Sequence, residues 1–355
     1  FSLDIQLAFT RSLMGWHWSS NRRVMPWKGE RDPYRIWLSE VILQQTRVEQ
    51  GWSYYERFIA AYPSICDLAA ASDDEVFKQW EGLGYYSRCR NLLATARFIA
   101  DKRAGAFPVT YEGILALKGV GPYTAAAIAS FAYGLPHAVV DGNVIRVLAR
   151  CFAIREPVGD PVIRRKIIAL AATLLDVDHP GAYNQAIMDF GATVCRPQAP
   201  QCSSCPLSAI CSARALGLQG EIPAKAVRPV RKTRWFQYIH AGHAGSCLVR
   251  QRTARDIWQD LHELLLVETE GPLTVDALSA LPLSLGLRPT GKPWVSDECR
   301  QLLTHQEIRA RFVRVQLGRR DPAPEGYRWM VAEEVSRAAF PKIIQAYFEY
   351  SGTFT

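Results

Sequence analysis

Leu117-Lys118-Gly119-Val120-Gly121-Pro122-Tyr123-Thr124-Ala125-Ala126-Ala127-Ile128 joins the end of one apolar helical stretch to the start of another. Two glycines two positions apart allow a tight turn with bare backbone N–H groups. At a helix N-terminus such amides can hold a phosphate oxygen. Gly119, Val120 and Gly121 are therefore candidate contacts to a nucleic-acid backbone. A Gly-Val-Gly step alone is an ordinary helix connection. The flanking Leu117 and the Thr-Ala-Ala-Ala-Ile continuation give it the pattern of a helix-hairpin-helix.

Outward from this segment, residues 1 to about 215 read as helical. Apolar residues recur at i, i+3, i+4 spacing in 36–48, 73–80, 88–101, 124–133, 142–151 and 161–175. Tyr62-Pro63, Phe107-Pro108, Leu135-Pro136, Gly159-Asp160-Pro161 and His179-Pro180-Gly181 punctuate them. Asp32 before Pro33, and Ser72 with Glu75 three residues on, are helix starts. Residues 221–234 are rich in Lys, Arg and Pro and read as a basic linker. From Trp235 the pattern changes to short strand-like runs at 235–239, 246–250, 264–269, 310–317 and 327–331, with a closing helix at 341–349. The expected organisation is a mostly α region over 1–220, a linker over 221–234 and a smaller α+β domain over 235–355.

Composition narrows the class. The chain of 355 residues carries 42 Lys and Arg against 34 Asp and Glu, a net charge of +8, which favours a polyanionic partner, nucleic acid ahead of an anionic membrane. No run approaches the roughly 18 apolar residues of a membrane helix, so no membrane role is expected. No export signal is visible at Phe1-Ser2-Leu3-Asp4, and nine Cys are an odd number, so a disulfide framework is disfavoured. Cys66, Cys89, Cys151, Cys247 and Cys299 are scattered and read as small buried hydrophobes. Cys195, Cys202, Cys205 and Cys211 are different. Four thiols fall within one loop punctuated by Pro197, Pro200 and Pro206. Such a loop is a metal site, for zinc or for an iron–sulfur cluster.

Two carboxylates stand out. Glu40 lies in Trp37-Leu38-Ser39-Glu40-Val41-Ile42-Leu43, with Gln44 expected one turn later on the same face. A Glu among apolar residues is either exposed or a carboxyl with a raised pKa, which suits a general acid at neutral pH. Asp141, in Val140-Asp141-Gly142-Asn143, reads by default as a helix N-cap.

These pieces come in a familiar order. Met25-Pro26-Trp27, Asp32-Pro33-Tyr34-Arg35, Ser39-Glu40 with Gln44-Gln45-Thr46, Gly82-Leu83-Gly84-Tyr85-Tyr86, Gly119-Val120-Gly121, Val140-Asp141-Gly142-Asn143 and the four Cys span residues 23–211. In this the chain resembles the adenine-specific DNA glycosylases of the MutY type, in the endonuclease III superfamily. Lys118 departs slightly from the motif, which commonly has Pro there. The resemblance implies a helix-hairpin-helix glycosylase fold closed by one [4Fe–4S] cluster on Cys195, Cys202, Cys205 and Cys211. It implies double-stranded DNA with adenine opposite 8-oxoguanine or guanine as substrate. Glu40 would protonate adenine, and Asp141 would stabilise the oxocarbenium-like sugar with retention of configuration. Tyr123 and Asn143 would orient the carboxylates. Bifunctional relatives carry Lys where this chain has Tyr123, so strand cleavage through a Schiff base is not expected.

The same resemblance assigns contacts to the duplex. Gln45 and Tyr85 would enter the base stack, with Thr46 and Leu83 beside them; for Tyr85 the competing reading is a core aromatic. Arg23, Trp27 and Gln185 are candidate contacts to the extruded adenine, Trp27 being equally a core residue. The C-terminal domain would be Nudix-like and read 8-oxoguanine through Thr304 and His305. Leu303 replaces the Phe of the family's Phe-Ser-His loop and cannot stack. Ile257-Trp258-Gln259 falls at the family's Trp-Gln element, and no Nudix hydrolase box is visible. A monomer acting in a bacterial cytoplasm at the nucleoid, or in a nucleus, is the expected setting. A different glycosylase of the superfamily, or an iron–sulfur lesion sensor without turnover, is the competing reading.

Overall fold

The computed structural model describes residues 3–224 and 230–352. The helices of the first part are α1 (Leu3–Ser20), α2 (Pro33–Leu43), α3 (Val48–Ala61), α4 (Ile65–Ala70), α5 (Asp73–Trp80), α6 (Ser87–Arg103), α7 (Tyr111–Leu115), α8 (Pro122–Tyr133), α9 (Gly142–Cys151), α10 (Pro161–Leu174), α11 (Pro180–Thr193) and α12 (Ser212–Ala215). Their starts follow local chemistry. Asp32, Asp141 and Asp160 cap α2, α9 and α10 by accepting backbone N–H bonds. Ser72 and Glu75 form a reciprocal capping box on α5.

Two compact units emerge: residues 1–70 with 90–227, and residues 71–89 with 228–355. The segment 71–89 thus lies within the helical part of the sequence yet belongs to the second unit. In the first unit, Phe9 and Leu13 of α1 share a core with Val147 and Leu148 of α9 and Ile187 and Phe190 of α11. Full burial of apolar side chains of this kind stabilises a fold by roughly 1.5–3 kcal/mol each. No helix among the described residues is long and apolar enough to cross a membrane.

The second unit is built on a mixed sheet of β1 (Lys232–His243), β2 (Ser246–Gln251), β3 (His262–Thr269), β4 (Trp294–Val295), β5 (Cys299–Leu302), β6 (Gln306–Gln316) and β7 (Arg328–Val331). Its order is β4-β6-β1-β3-β2-β7, with β5 also on β6. The long β1–β6 pair is parallel, in register from Lys232↔Gln306 to Gly242↔Gln316. Both faces of β1 are covered, which explains its run of buried residues rather than an alternation. Ile239 and Val313 face Leu278 of helix α13 (Val275–Ser284). Their neighbours His240 and Phe312 face Tyr347 of α15 (Lys342–Ser351), which follows the short α14 (Ala332–Arg337). Tyr347 stacks on Phe312 at 4.1 Å.

The structure corrects several sequence expectations. The helix expected over 36–48 ends at Leu43, and Gln44 is its C-cap rather than a residue one turn on. The basic segment 221–234 is shorter than expected as a linker, because β1 already begins at Lys232; residues 225–229 lie outside the described residues. Helix α13 was not expected: a Pro282 inside it and a sequence with Asp276 as its one charge hide its period. Cys66 is exposed and Cys299 half-buried, so only Cys89, Cys151 and Cys247 of the scattered five behave as buried hydrophobes.

Candidate active site

A cavity of about 640 Å³ opens in the helical unit, and Glu40, Tyr123, Asp141 and Asn143 all line it. Glu40 comes from the middle of α2, between buried Ile36 and Val41, and is only 6% exposed. Burial lifts its carboxyl to about 7, with the nearby Asp141 charge adding to the rise. The Tyr123 hydroxyl donates to Glu40 and opposes the rise without cancelling it. A carboxyl in this state carries a proton part of the time at neutral pH and can give it up. Tyr123 itself is pushed well above the usual phenol range by burial and the two carboxylates, so it stays a hydroxyl donor.

Asp141 caps α9. One of its oxygens accepts Val144 N–H at 2.7 Å and the other accepts Asn143 Nδ2 at 2.8 Å. Burial raises its pKa, while these two bonds and the Arg146 charge favour the anion. The Asp141 charge is among the causes that raise Glu40, so the two carboxyls are coupled. Asn143 is in turn fixed by Arg146 Nη2, which donates to its Oδ1 at 2.8 Å. Arg146 also donates to Cys195 O at 2.8 Å and Gly191 O at 2.7 Å. One turn later Arg150 donates to Arg196 O at 2.7 Å and Pro197 O at 3.1 Å. The helix that carries Asp141 is therefore bonded directly to the Cys loop.

Cys195, Cys202, Cys205 and Cys211 line one small cavity, with Cys151 and Arg150 among its other walls. No group of three or more His, Cys, Asp or Glu among the described residues gathers as the ligand set of a single ion. Four thiols around one cavity are a donor set that suits a metal or a metal cluster. The Cys151 thiol donates to Cys211 and pulls it down to about 6, towards the thiolate a metal needs. Burial works the other way on Cys205, pushed up to about 11.

Arg23, Trp27, Thr46 and Gln185 also line the large cavity. Trp27 packs edge-on to Tyr55 at 5.4 Å, so it serves the α3 aromatic group as well as the cavity wall. Gln45 is not on that wall; it is exposed, in the left-handed region at φ 58° just past α2. Gly119 (φ +79°) turns tightly over Asn91, whose Cβ would lie 2.6 Å from an added Cβ. Gly121 has free space around it and caps α8 instead. Val120 between them is buried.

The remaining predicted residues belong to the second unit. Tyr85 is 45% exposed at φ 48°, which rules out the core reading. Its hydroxyl bonds Thr304 Oγ1 at 2.9 Å. Thr304 and His305 are exposed at the tip of the β5–β6 hairpin, closed by Leu303 N–H to Gln306 O at 2.8 Å. Leu83 is buried, so its side chain packs inward instead of facing solvent. Trp258 is buried at φ 58°, edge-on to Phe236. Sequence reasoning missed Asp189, a fully buried carboxylate of α11 bonded to Arg23, Lys28, Gln185 and Asn21. The signal was present: an acid inside Ala186-Ile187-Met188-Asp189-Phe190, as at Glu40.

Residues 38–170 match the profile of the HhH-GPD superfamily base excision DNA repair proteins, and residues 236–350 that of a NUDIX domain. The adenine DNA glycosylase of Buchnera aphidicola (Acyrthosiphon pisum) is 32% identical over 255 residues, covering 71% of this chain and 72% of that protein. The chain belongs to the adenine DNA glycosylase family. The human adenine DNA glycosylase is 44% identical over 216 residues, 58% of this chain, and the chain spans only 39% of that protein's length. Among solved structures, a thermostable thymine-DNA glycosylase aligns over 60% of this chain and 98% of its own, with a TM-score of 0.55 and 29% identity. A non-covalent endonuclease III–DNA complex aligns over 62% of this chain and all of its own, at TM-score 0.52 and 21% identity, a likeness of fold. The helix-hairpin-helix glycosylase architecture with a smaller sheet-containing Nudix-like domain is thus common to sequence pattern, structure and relatives. The adenine DNA glycosylase relatives are consistent with an iron–sulfur cluster.

Proposed function

We propose that the chain is a monofunctional glycosylase, acting as a monomer on double-stranded DNA, that flips out and hydrolyses adenine opposite 8-oxoguanine or guanine. The observation that carries this reading is the pair of buried carboxyls. Glu40 is lifted to about 7 beside Asp141, which is held by Val144 N–H and Asn143, in one cavity. Adenine is a poor leaving group until protonated, so a proton donor on one side of it and an anion for the developing sugar cation match the reaction. Such a cavity also has room for an extruded base.

In this reading Glu40 protonates the base and then helps deliver water. Asp141 stabilises the sugar cation, Tyr123 and Asn143 orient the two carboxyls, and Arg23, Trp27 and Gln185 contact the adenine. Gly119, Val120 and Gly121 take a backbone phosphate. Gln45 and Tyr85 enter the stack, with Thr46 and Leu83 supporting them. Thr304 and His305, next to Tyr85, read the opposite base. A [4Fe–4S] cluster on the four Cys would tie the basic loop into one body, and Arg146 and Arg150 would couple that loop to α9. The site of action is the genome, at a nucleoid or in a nucleus.

No amine stands at the position of Tyr123, whose phenol keeps its proton, and the nearby Lys28 is held by Asp189 at 3.0 Å. Base loss without strand scission is expected. A single-turnover assay on a labelled duplex with adenine opposite 8-oxoguanine tests this, run with and without hot alkali. Breaks only after alkali, and only in the adenine strand, are the expected result. Breaks without alkali overturn the monofunctional reading, and no base release overturns the activity.

A further inference from the structure

We infer that Asp189 is a positioning residue that decides which end of the Gln185 amide faces the cavity, and so makes the cavity select a base offering an amino group. The inference rests on the reading of this cavity as an adenine site. Asp189 lies on α11 one turn after Gln185 and is fully buried. One carboxylate oxygen accepts Arg23 Nη1 at 2.9 Å and Gln185 Nε2 at 3.0 Å. The other accepts Asn21 Nδ2 at 2.8 Å and Lys28 Nζ at 3.0 Å. Two cations and two amides thus converge on one anion.

An ionised carboxylate can only accept. The nitrogen of each neighbouring amide must therefore face Asp189, whichever way either amide would turn by itself. For Asn21 this leaves Oδ1 outward, and it accepts Arg23 N–H at 3.1 Å. For Gln185 it leaves Oε1 outward, on a side chain that lines the cavity. That oxygen is an acceptor held in place before any ligand arrives.

The chemistry of the bases then discriminates. Adenine carries an amino group at C6, which donates to such an oxygen. Guanine carries a carbonyl at C6, which would set two acceptors against each other. An unsubstituted purine carries only hydrogen and loses the bond. Polar sites built for a specific hydrogen bond reject ligands that leave their groups unpaired. The same carboxylate also fixes the wall. Lys28 Nζ donates to Arg23 O at 2.8 Å, so residues 21–28 are stapled to α11 and cannot drift from the base.

The test compares single-turnover excision of adenine and of unsubstituted purine at one position opposite the same base. The ratio of the two rates cancels general damage to the fold, since a loosened cavity slows both. Gln185→Leu should lower the adenine-to-purine ratio by about tenfold, the loss of one hydrogen bond. Asp189→Asn offers a donor as well as an acceptor, frees the Gln185 amide to turn, and should lower the ratio to a similar extent. In the double variant the ratio should fall no further than in Gln185→Leu. An unchanged ratio in Gln185→Leu overturns the inference, and so do additive losses in the double variant. Should Asp189→Asn fail to fold, an unchanged ratio in Gln185→Leu still overturns the inference, because that residue is half-exposed on the wall and its replacement spares the core. If the unaltered chain releases neither base, the adenine reading itself fails.

Discussion

The helical unit and the sheet unit each bury a glutamate, and they handle it in opposite ways. Glu263 on β3 is fully buried, and both its oxygens are claimed by guanidinium groups: Arg250 Nε at 2.7 Å and Arg252 Nη1. Arg252 goes on to Asp256, which Arg234 also bonds, and Arg234 grips Glu268 with two bonds of 2.7 Å. Glu40 on α2 has a neutral hydroxyl from Tyr123 and a like charge from Asp141. A buried anion with cations stays an anion and serves as scaffold. A buried carboxyl without them holds its proton near neutral pH and is available for chemistry. Asp189 belongs to the first kind by its partners, yet lies in the active unit, where it orders the cavity wall.

The comparison can be broken most sharply at Glu40. Glu40→Gln keeps the shape and removes the proton donor. Single-turnover excision should fall by roughly 10²–10⁴-fold, the contribution of a general acid, while duplex binding persists. Retained activity would remove Glu40 from the acid role. At the other carboxylate, Glu263→Gln leaves Arg250 and Arg252 facing a neutral amide. Breaking a buried pair costs about 3–5 kcal/mol. The lower end is expected, because Arg250 is 36% exposed. A urea melt of the full chain should show this loss in the transition of the sheet unit.

A third effect concerns stability against pH. The folded pKa of Glu40 is about 7 against an ordinary 4.5, so the folded state holds the proton more tightly than the unfolded chain. Its favourable contribution is complete below about 4.5 and is lost as pH rises through about 7. Glu40→Gln has no such loss. The melting temperature of the variant minus that of the unaltered chain should be least at pH 4.5 and grow to a plateau above pH 7. A constant difference would mean that Glu40 is not titrating in this window.

Much of this was legible before the structure. Helix α5 begins and ends where its Ser72–Glu75 box and Trp80 put it, and α9 begins at Asp141, because caps are local chemistry. The order of motifs from Met25 to Cys211 pointed to the family that the comparisons then showed. What was not legible has a common cause. The end of α2 at Leu43, with Gln45 at φ 58°, and the φ of 48° at Tyr85, depend on backbone conformations that no propensity favours for these residues. The assignment of 71–89 to the same unit as the sheet rests on contacts remote in sequence, such as Phe340 N–H to Glu81 at 2.9 Å and Lys78 to Ala338 O at 3.2 Å. Asp189 is one acid within the apolar run of α11, and only its four donors, drawn from residues 21, 23, 28 and 185, reveal its part.

The sequence by itself pointed to the helical first part with caps at Asp32, Ser72 and Asp141, the change to strands near Trp235, the thiol loop and the pair of candidate carboxyls. These follow from periodicity, spacing and residue type, which act over a few neighbours. Only the tertiary structure decided which carboxyl is left without a cation and which is neutralised. Electrostatic state depends on what burial brings within a few ångströms, and those groups come from helices and strands far apart in the chain.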